Sequence, residues 1–459
     1  MSLTEIPQDV LLELVKEFDV ADLLRFLSVC HSICELQLQR SLWLHALVRI
    51  RDLQMQPLPL SNAEPLDTLS LEQLQHAARQ ANRLMRNFKS DSPSPVRIQT
   101  LSTGHTHLSC IQGTHLVVTY SLGTVNCWDI ITSHRVAHLE IPDLQIVSDK
   151  PCLEIKGRAL FGACIGTQHF AAICVEYHDR IQISISHVIS PPTSSFLRRA
   201  GFFINSRFMG CCTSSSTVYW SMREDSEVET GAMTLSDPAD SPPGRCLLFG
   251  ENIYSFHQGV RVAEGILQSR AFSPAGLDEG LAPNRESKSL TLPVPYPLTQ
   301  EHTLGNVRNI LYHPTEIQVP DYGIFAVAST VFEWAQQSRS SMVHFWPGNT
   351  VGGNLDVGPA CFYHDTGGVL GRTAVGRSGT YVLTLIHEGD VFNGNSQYSQ
   401  RYLGLVHFSS TPTPHTTFRK LDIGDAPSLR SIRQIALDDS IGLVLLLDDA
   451  GILTAISYV

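Results

Sequence analysis

Hydrophobic residues are spaced in two different ways along the chain, and the change lies near residue 90. From Ile6 to about Phe88 they recur every three or four residues, as on one face of an α-helix. From Arg97 onward they form short alternating runs between Gly, Ser, Asp and Pro, as in β-strands joined by tight turns. The pattern predicts a multidomain α plus all-β protein, with a helical module at residues 1–50, a linker with an amphipathic helix at 51–96 and a β domain at 97–459.

Four short helical stretches are predicted in the module. Pro7 is placed in the first turn of the first stretch, where a missing backbone N–H is tolerated. Asp19 offers an N-cap oxygen to the second stretch. The stretches are residues 7–18, 19–30, 31–39 and 41–50. A unit of about 45 residues buries little of its surface, so a core of its own is only marginally stable. We therefore expect its excess apolar surface to contact a partner.

The linker contains a further predicted helix. Ser70 and Gln73 form a Ser-x-x-Gln capping box at its start. Its apolar side carries Leu71, Leu74, Ala78, Ala81, Met85 and Phe88, and its other side carries Arg79, Arg83, Arg86 and Lys89. A charged helix face is usually solvated, so we interpret the basic residues as a water-facing surface and the helix as a rigid spacer. Residues 91–95, with two prolines, form the hinge or corner after it.

In the β domain, a strand, a turn and a second strand recur. The clearest copies are residues 116–129 and 443–456, and weaker ones are 170–185, 208–220, 246–262, 324–346 and 381–408. Trp128, Trp220 and Trp346 stand late in the second strand of their copies. Their separations approximate two and three units of about 40 to 46 residues, the length of a propeller blade.

These repeats resemble a degenerate WD-repeat β-propeller, with six to seven blades. Trp128-Asp129 matches the signature dipeptide of that family, and Gly104-His105 precedes the first copy. A propeller closes when its last blade takes a strand from the start of the domain, so residues 96–101 are expected to pair with the strand ending at Tyr458. Prolines at residues 273–297 leave little room for a strand ladder and predict a long excursion from the propeller, and a second insertion is predicted at residues 226–243.

Several residues of the helical module occur in a distinctive order. They are Ile6-Pro7-x-x-Val10-Leu11-x-x-Leu14, then Asp22-Leu23-Leu24-Arg25-Phe26, then Ser28-Val29-Cys30-His31, and finally Leu42-Trp43. This order resembles an F-box, and it covers residues 5 to about 47, a tenth of the chain. Two positions depart from the family: Ile6 replaces the usual Leu, and His31-Ser32-Ile33 replaces the usual basic-aromatic pair.

The resemblance implies that the module docks on a Skp-family adaptor, and through it on a cullin, in an SCF-type ubiquitin ligase. The propeller would then hold an unidentified protein substrate. Carried over by position, the adaptor-binding residues are Ile6, Pro7, Val10, Leu11, Leu14, Leu23, Leu24, Leu27, Val29, Cys30 and Trp43. Three alternatives stay open: an ordinary helical bundle core, a propeller scaffold for protein interaction without a ligase role, and a propeller hydrolase.

Composition and motifs narrow the class of function. The net charge is −11, with −3 in residues 1–91 and −8 in the remainder, so no domain is basic, which argues against a nucleic-acid partner. The longest aliphatic run, residues 442–447, is far shorter than a membrane helix requires. Eleven cysteines without a CxxC pair indicate a reducing compartment, so we expect the cytoplasm or the nucleus.

The sequence has none of the common catalytic motifs. HExxH, GxSxG, the P-loop and GxGxxG are all absent, so we expect a protein that is not an enzyme and that uses no cofactor or metal. A phosphorylated target would call for arginines near strands. The eligible ones, which the sequence does not rank, are Arg158, Arg180, Arg207, Arg261, Arg308 and Arg377.

Overall fold

The computed structural model describes most of the helical region and both ends of the β domain. The described residues are 6–52, 54, 56–60, 65–148, 153–155, 157–166, 169–189, 371–376, 378–388, 400–409, 415–426 and 428–459. Between residues 190 and 370 it describes the strands alone, as backbone.

Five α-helices precede the strands. They are α1 (Gln8–Val15), α2 (Val20–Leu27), α3 (His31–Cys34), α4 (Arg40–Asp52) and α5 (Leu71–Phe88), with a 3-10 turn at Glu35–Leu38 after α3. The capping predictions are confirmed: the Asp19 carboxylate accepts a hydrogen bond from Asp22 N, and Ser70 and Gln73 form the reciprocal capping box. The first helix is shorter than predicted, because residues 16–18 form a turn. Among the described helices, none has the length and apolarity needed to cross a bilayer.

The strands follow from Arg97 to the end of the chain. The first ten are β1 (Arg97–Ser102), β2 (His107–Cys110), β3 (Leu116–Ser121), β4 (Thr124–Asp129), β5 (His134–Glu140), β6 (Leu144–Val147), β7 (Leu153–Ile155), β8 (Arg158–Ile165), β9 (His169–Glu176) and β10 (Gln182–Ile189). The next twelve are β11 (Gly201–Ile204), β12 (Phe208–Cys212), β13 (Ser216–Ser221), β14 (Thr230–Thr234), β15 (Arg245–Phe249), β16 (Asn252–Gln258), β17 (Gly265–Ala271), β18 (Lys288–Leu292), β19 (Gly305–Leu311), β20 (Ile324–Val331), β21 (Ser338–Phe345) and β22 (Cys361–Asp365). The last seven are β23 (Gly368–Val375), β24 (Tyr381–Glu388), β25 (Arg401–Ser409), β26 (His415–Lys420), β27 (Ile432–Asp438), β28 (Leu443–Asp448) and β29 (Ile452–Ser457).

The described strands form seven antiparallel sheets arranged in a ring. Six sheets contain strands that are consecutive in sequence: β2–β5, β6–β10, β11–β14, β15–β18, β19–β22 and β23–β26. The seventh has the order β1-β29-β28-β27. Each sheet contacts the next, and the seventh contacts both its neighbours through β27. This is the architecture of a β-propeller.

The ring closes with a strand from the start of the domain, as predicted. β1 pairs with β29 from Arg97 opposite Ser457 to Ser102 opposite Ile452. The N–H of Val96 continues the ladder to the Ser457 carbonyl at 2.8 Å. Closure by the amino-terminal strand leaves β29 with a partner on both sides, which removes an exposed edge.

The two predicted excursions both contain a strand, which corrects that part of the sequence interpretation. β14 lies within residues 226–243 and β18 lies within 273–297. The prolines that suggested an interruption flank β18, at Pro283 and Pro293, and do not occur inside it. A proline outside the ladder does not prevent pairing, because the ladder loses no N–H donor.

One chain of hydrogen bonds joins the two dipeptides that resemble a WD repeat. Trp128 Nε1 donates to Thr119 Oγ1 at 2.9 Å, and this hydroxyl lies 3.0 Å from His105 Nδ1. His105 Nε2 in turn lies 3.1 Å from Asn126 Nδ2. The propeller is therefore WD-repeat-like in this sheet. Trp346 and the side chain of Trp220 lie outside the described residues.

Helix α5 belongs to two hydrophobic cores. Its first half contributes Leu74, Ala77, Ala78 and Ala81 to the core of the helical module. Its last turns contribute Leu84 and Phe88 to a propeller core. The Phe88 ring lies 5.5 Å from that of Tyr381 and 5.8 Å from that of Tyr458, centre to centre. Because one rigid helix is packed in both cores, the helical module and the propeller are held in a fixed relation.

The segment after α5, residues 91–95, is held against the propeller by hydrogen bonds. Asn87 Nδ2 donates to the carbonyls of Tyr458 and Ser94, at 2.7 and 2.8 Å, and Asn87 Oδ1 accepts from Ser94 N. Asp422 N donates to the Pro93 carbonyl at 2.9 Å. These bonds leave the segment with little freedom to act as a hinge.

Candidate docking site

The helical module is built around one core. Helices α1 to α4 and the first half of α5 surround it, and Trp43, Leu47, Leu74 and Ala78 are almost completely buried at its centre. Trp43 Nε1 donates a hydrogen bond to the Gln37 carbonyl at 2.8 Å. The indole ring is therefore buried in the module with its N–H group hydrogen-bonded. This core fixes the helices that carry the predicted docking residues.

Helix α1 has one buried and one exposed apolar side. The Pro7 carbonyl accepts from Leu11 N at 3.1 Å, which starts the helix directly after the proline. Leu11 and Val15 face the core, whereas Val10 and Leu14 keep 52% and 47% of their surface exposed. Because Pro7, Val10 and Leu14 are spaced three and four residues apart, they lie on one side of the helix. We call these three residues the apolar row.

Helix α2 has a similar division. Leu23 and Leu27 are buried in the core, and Leu24 is half-buried against it. Beyond the end of the helix, Val29 is 59% exposed and Cys30 is half-buried. Ile6, before α1, is also half-buried against the core.

Four of the predicted adaptor-binding residues are buried in the core of the module. Leu11, Leu23, Leu27 and Trp43 are covered by the module itself, and their side chains do not face solvent. Their apolar character is explained by the core that they form. The predicted residues that reach the surface, wholly or in part, are Ile6, Pro7, Val10, Leu14, Leu24, Val29 and Cys30.

Two exposed apolar residues of the module, Leu38 and Val48, were not among the predicted docking residues. Leu38 is 65% exposed, although Leu36 beside it is buried. The change from α-helical to 3-10 geometry at Glu35–Leu38 alters which positions face inward. A helical period that runs on unchanged through residues 31–39 gives no signal of this change.

Two ion pairs on α1 and α2 join residues three positions apart at the surface. Lys16 pairs with Glu13, and Arg25 Nη1 lies 2.9 Å from Asp22 Oδ1. Solvated pairs of this kind contribute little to stability. The surface of α1 and α2 therefore carries the exposed apolar row together with solvated ion pairs that contribute little to stability.

The propeller offers fewer described groups to a target. Of the predicted arginines, Arg158 is paired with Glu176 at 2.9 Å, and Arg180 is exposed. Arg207, Arg261 and Arg377, with the side chain of Arg308, lie outside the described residues. The phosphate prediction therefore stays a prediction.

A cleft of about 490 Å³ lies between the corner after α5 and the strands β25 and β26. Its lining includes two cations, Arg401 and Lys420, and two acids, Asp91 and Asp422. The Lys420 ammonium lies 4.6 Å above the centre of the Tyr402 ring. Since both signs of charge are present in equal number, the cleft does not select an anionic ligand over a cationic one.

The buried thiols of the propeller lack the properties of nucleophiles. Burial raises the pKa of Cys127 to about 12, that of Cys164 to about 12 and that of Cys174 to about 11. A thiol is reactive as the thiolate, and these three stay protonated at neutral pH. Among the described residues, no group of His, Cys, Asp or Glu side chains has the arrangement of a metal site.

No protein-family model and no curated protein matches the chain. Several solved propeller structures are similar to it. The "Myceliophteria thermophila Cps50 (Swd1) beta-propeller domain" has 10% identity and a TM-score of 0.48, covering 78% of this chain and 98% of that one. A chain of the "Mitotic Checkpoint Complex" has 11% identity and a TM-score of 0.45, covering 80% and 93%. The "WD40 domain of SCAP from fission yeast" has 7% identity and a TM-score of 0.39, covering 75% and 82%. At TM-scores below 0.5 these likenesses carry no conclusion about function.

Proposed function

We propose that this protein is a substrate receptor of an SCF-type ubiquitin ligase, acting in the cytoplasm or nucleus. In this proposal the helical module binds a Skp-family adaptor, which connects it to a cullin, and the propeller binds the target protein. Ubiquitin transfer is catalysed by other subunits, and this chain contributes proximity between the target and the transferring enzyme. No catalytic group, cofactor or metal on this chain is required.

The observation that carries the proposal is the uncovered apolar row. Pro7, Val10 and Leu14 stand on a helix whose opposite side is fixed in a core, and no described part of the chain covers them. A partner that buried the remaining exposed surface of Val10 and Leu14 would gain about 1 kcal/mol from each. A preorganised helix adds to this because it loses little conformational entropy on binding.

Helix α5 supports the proposal because it fixes the distance between the two proposed binding sites. Its packing in both cores means that a target on the propeller stays at a constant distance from an adaptor on the helical module. The same observation favours the alternative function, in which the helices only brace a propeller scaffold for protein interaction. The two functions differ in one respect: a brace has no adaptor.

Co-purification with a Skp-family adaptor tests the proposal. Val10→Asp with Leu14→Asp should weaken the complex at least about a hundredfold, because two carboxylates would be buried in an apolar contact. Both positions are about half exposed in this chain, so the melting temperature should fall by only a few degrees. Leu122→Asp, in a propeller turn where the leucine is 80% exposed, is the matched control and should bind normally.

Two outcomes of this experiment would favour the brace. One is a monomeric elution profile of the wild-type protein mixed with the adaptor. The other is a complex that the Val10 and Leu14 substitutions leave intact. If the complex forms as expected, a pull-down after proteasome inhibition would identify the proteins that accumulate as targets.

A further inference from the structure

The solvent-facing side of α5 carries a row of cations. We call Arg79, Arg83, Arg86 and Lys89 the basic strip, and all four are exposed. The three arginines are spaced four and three residues apart, so they lie on one side of the helix. From Arg79 to Lys89 the helix rises about 15 Å. The strip is therefore a linear positive surface between the helical module and the propeller.

Helix stability does not explain the basic strip. Arg79 and Arg83, four residues apart, repel each other, as do Arg83 and Arg86, three apart. Cations in the last turn of a helix are favoured by its dipole, but this accounts only for Arg86 and Lys89. The one acid of α5, Glu72, stands in its first turn. In the described part of the chain, no ion pair includes a residue of the strip, although the Arg79 guanidinium lies 5.8 Å from the centre of the Trp43 ring.

The last cation of the strip, Lys89, also acts on a residue of the propeller. His407, on β25, is stacked on Tyr381 at 4.5 Å between ring centres. Its pKa is lowered to about 4, first by burial and then by the positive charges of Lys89, His415 and Arg419. Lys89 therefore lies close enough to His407 for its positive charge to act on that residue.

We propose that the basic strip binds an acidic segment of a partner protein. Carboxylates on one side of a helix, or at every second residue of an extended chain, are about 5 to 7 Å apart, which matches the spacing of the arginines. This interaction is separate from the proposed ligase function, because it uses neither the apolar row nor the adaptor.

Two observations favour an acidic protein segment over a nucleic acid. The chain has a net charge of −11, so the strip is a local exception on a protein that repels long polyanions. The exposed large hydrophobic residues of the described part are all aliphatic, so nucleotide bases would find no aromatic stacking surface among them.

Fluorescence anisotropy with the full-length protein tests the proposal. The probe is a labelled peptide of about twelve residues, half of them glutamate, which is long enough to follow the strip. At low ionic strength, Arg83→Glu with Arg86→Glu should weaken peptide binding at least about tenfold. Arg180→Glu, which reverses an exposed charge in the loop between β9 and β10, is the matched control and should bind as the wild type does.

Three results would overturn the proposal. The first is an absence of peptide binding by the wild-type protein at low ionic strength, and the second is an equal loss in the Arg180→Glu control. The third is a single-stranded RNA of the same charge that binds more tightly than the peptide and is lost in the same variant. Arg83→Gln with Arg86→Gln, which only removes charge, should show a smaller loss of about threefold and serves if the reversal variant fails to fold.

Discussion

The helical module and the propeller differ in how they cover their apolar surface. In strand β28 of the propeller, every residue is buried, and the strand is paired on both sides, with β27 and with β29. In the module, four apolar side chains are between 47% and 65% exposed: Leu14, Val10, Val29 and Leu38. The propeller strand has its apolar side chains covered by the propeller itself, whereas the helical module leaves some of its apolar side chains exposed.

The difference follows from size and closure. A ring of sheets covers the face of each sheet with the next one, and its last sheet is completed by β1. Four short helices around one core have more surface than interior, so one side of α1 and the end of α2 stay uncovered. The small size of the module is therefore enough to leave apolar residues exposed in the absence of a partner.

Deletion of residues 452–459 should produce the largest effect, because it removes the strand that completes the ring. β29 lies between β1 and β28, and its loss would expose two strand edges and the positions that Leu453, Ile456 and Tyr458 fill. We expect no soluble protein, measured as the soluble fraction on expression. Ile452→Ser, at an exposed position, is the control and should remain soluble. A soluble truncated protein with an unchanged melting temperature would mean that closure does not stabilise the propeller.

The parts of the fold that depend on local chemistry could be predicted from the sequence. The N-cap at Asp19, the capping box at Ser70 and the strand that closes the ring are set by a few neighbouring residues or by an unambiguous alternation. Strands β14 and β18 were missed because flanking prolines resemble the prolines that interrupt a ladder. The 3-10 turn was missed because the apolar spacing before and within it is nearly the same.

The sequence separates the exposed from the buried residues of the helical module only in part. Position in the F-box-like order selected Val10 and Leu11 together, although one faces solvent and the other the core. Trp43 was selected for the same reason, and it is the centre of the core. A sequence order records which residues belong together, but the side of a helix that becomes interior is decided by the other helices packed on it. The role of α5 in both cores depends in the same way on Tyr381 and Tyr458, which lie about 300 residues or more away.

The stability of the junction between the helical module and the propeller should depend on pH through His407. His407 is stacked on Tyr381, which also contacts Phe88 of α5. Its pKa is about 4 in the folded protein, whereas the unfolded value is 6.5. The folded state therefore binds fewer protons, and stability that is complete above pH 6.5 is lost as the pH falls toward 4. The loss should reach about 3 kcal/mol at pH 4.

The measurement is the melting temperature between pH 7 and pH 4, for the wild type and for His407→Gln. The variant should lose less on acidification than the wild type does. His134→Gln, at an exposed position in β5, should follow the wild-type profile. Identical profiles for all three proteins would show that His407 is not the group that destabilises the junction in acid.

The smallest expected effect concerns a turn of the propeller that touches α5. Gly442 has a φ of +65°, and a Cβ added there would lie 2.5 Å from Leu84 Cδ1. Gly166 has a φ of +59° and open space around the same position. Alanine at either glycine should cost about 1 to 2 kcal/mol for the left-handed backbone. Gly442→Ala should cost about 1 kcal/mol more, because Leu84 must move within a packed core. The melting temperatures of the two variants measure this difference, and equal values would show that α5 is not pressed against the turn, so that the two units are less firmly joined than their shared core indicates.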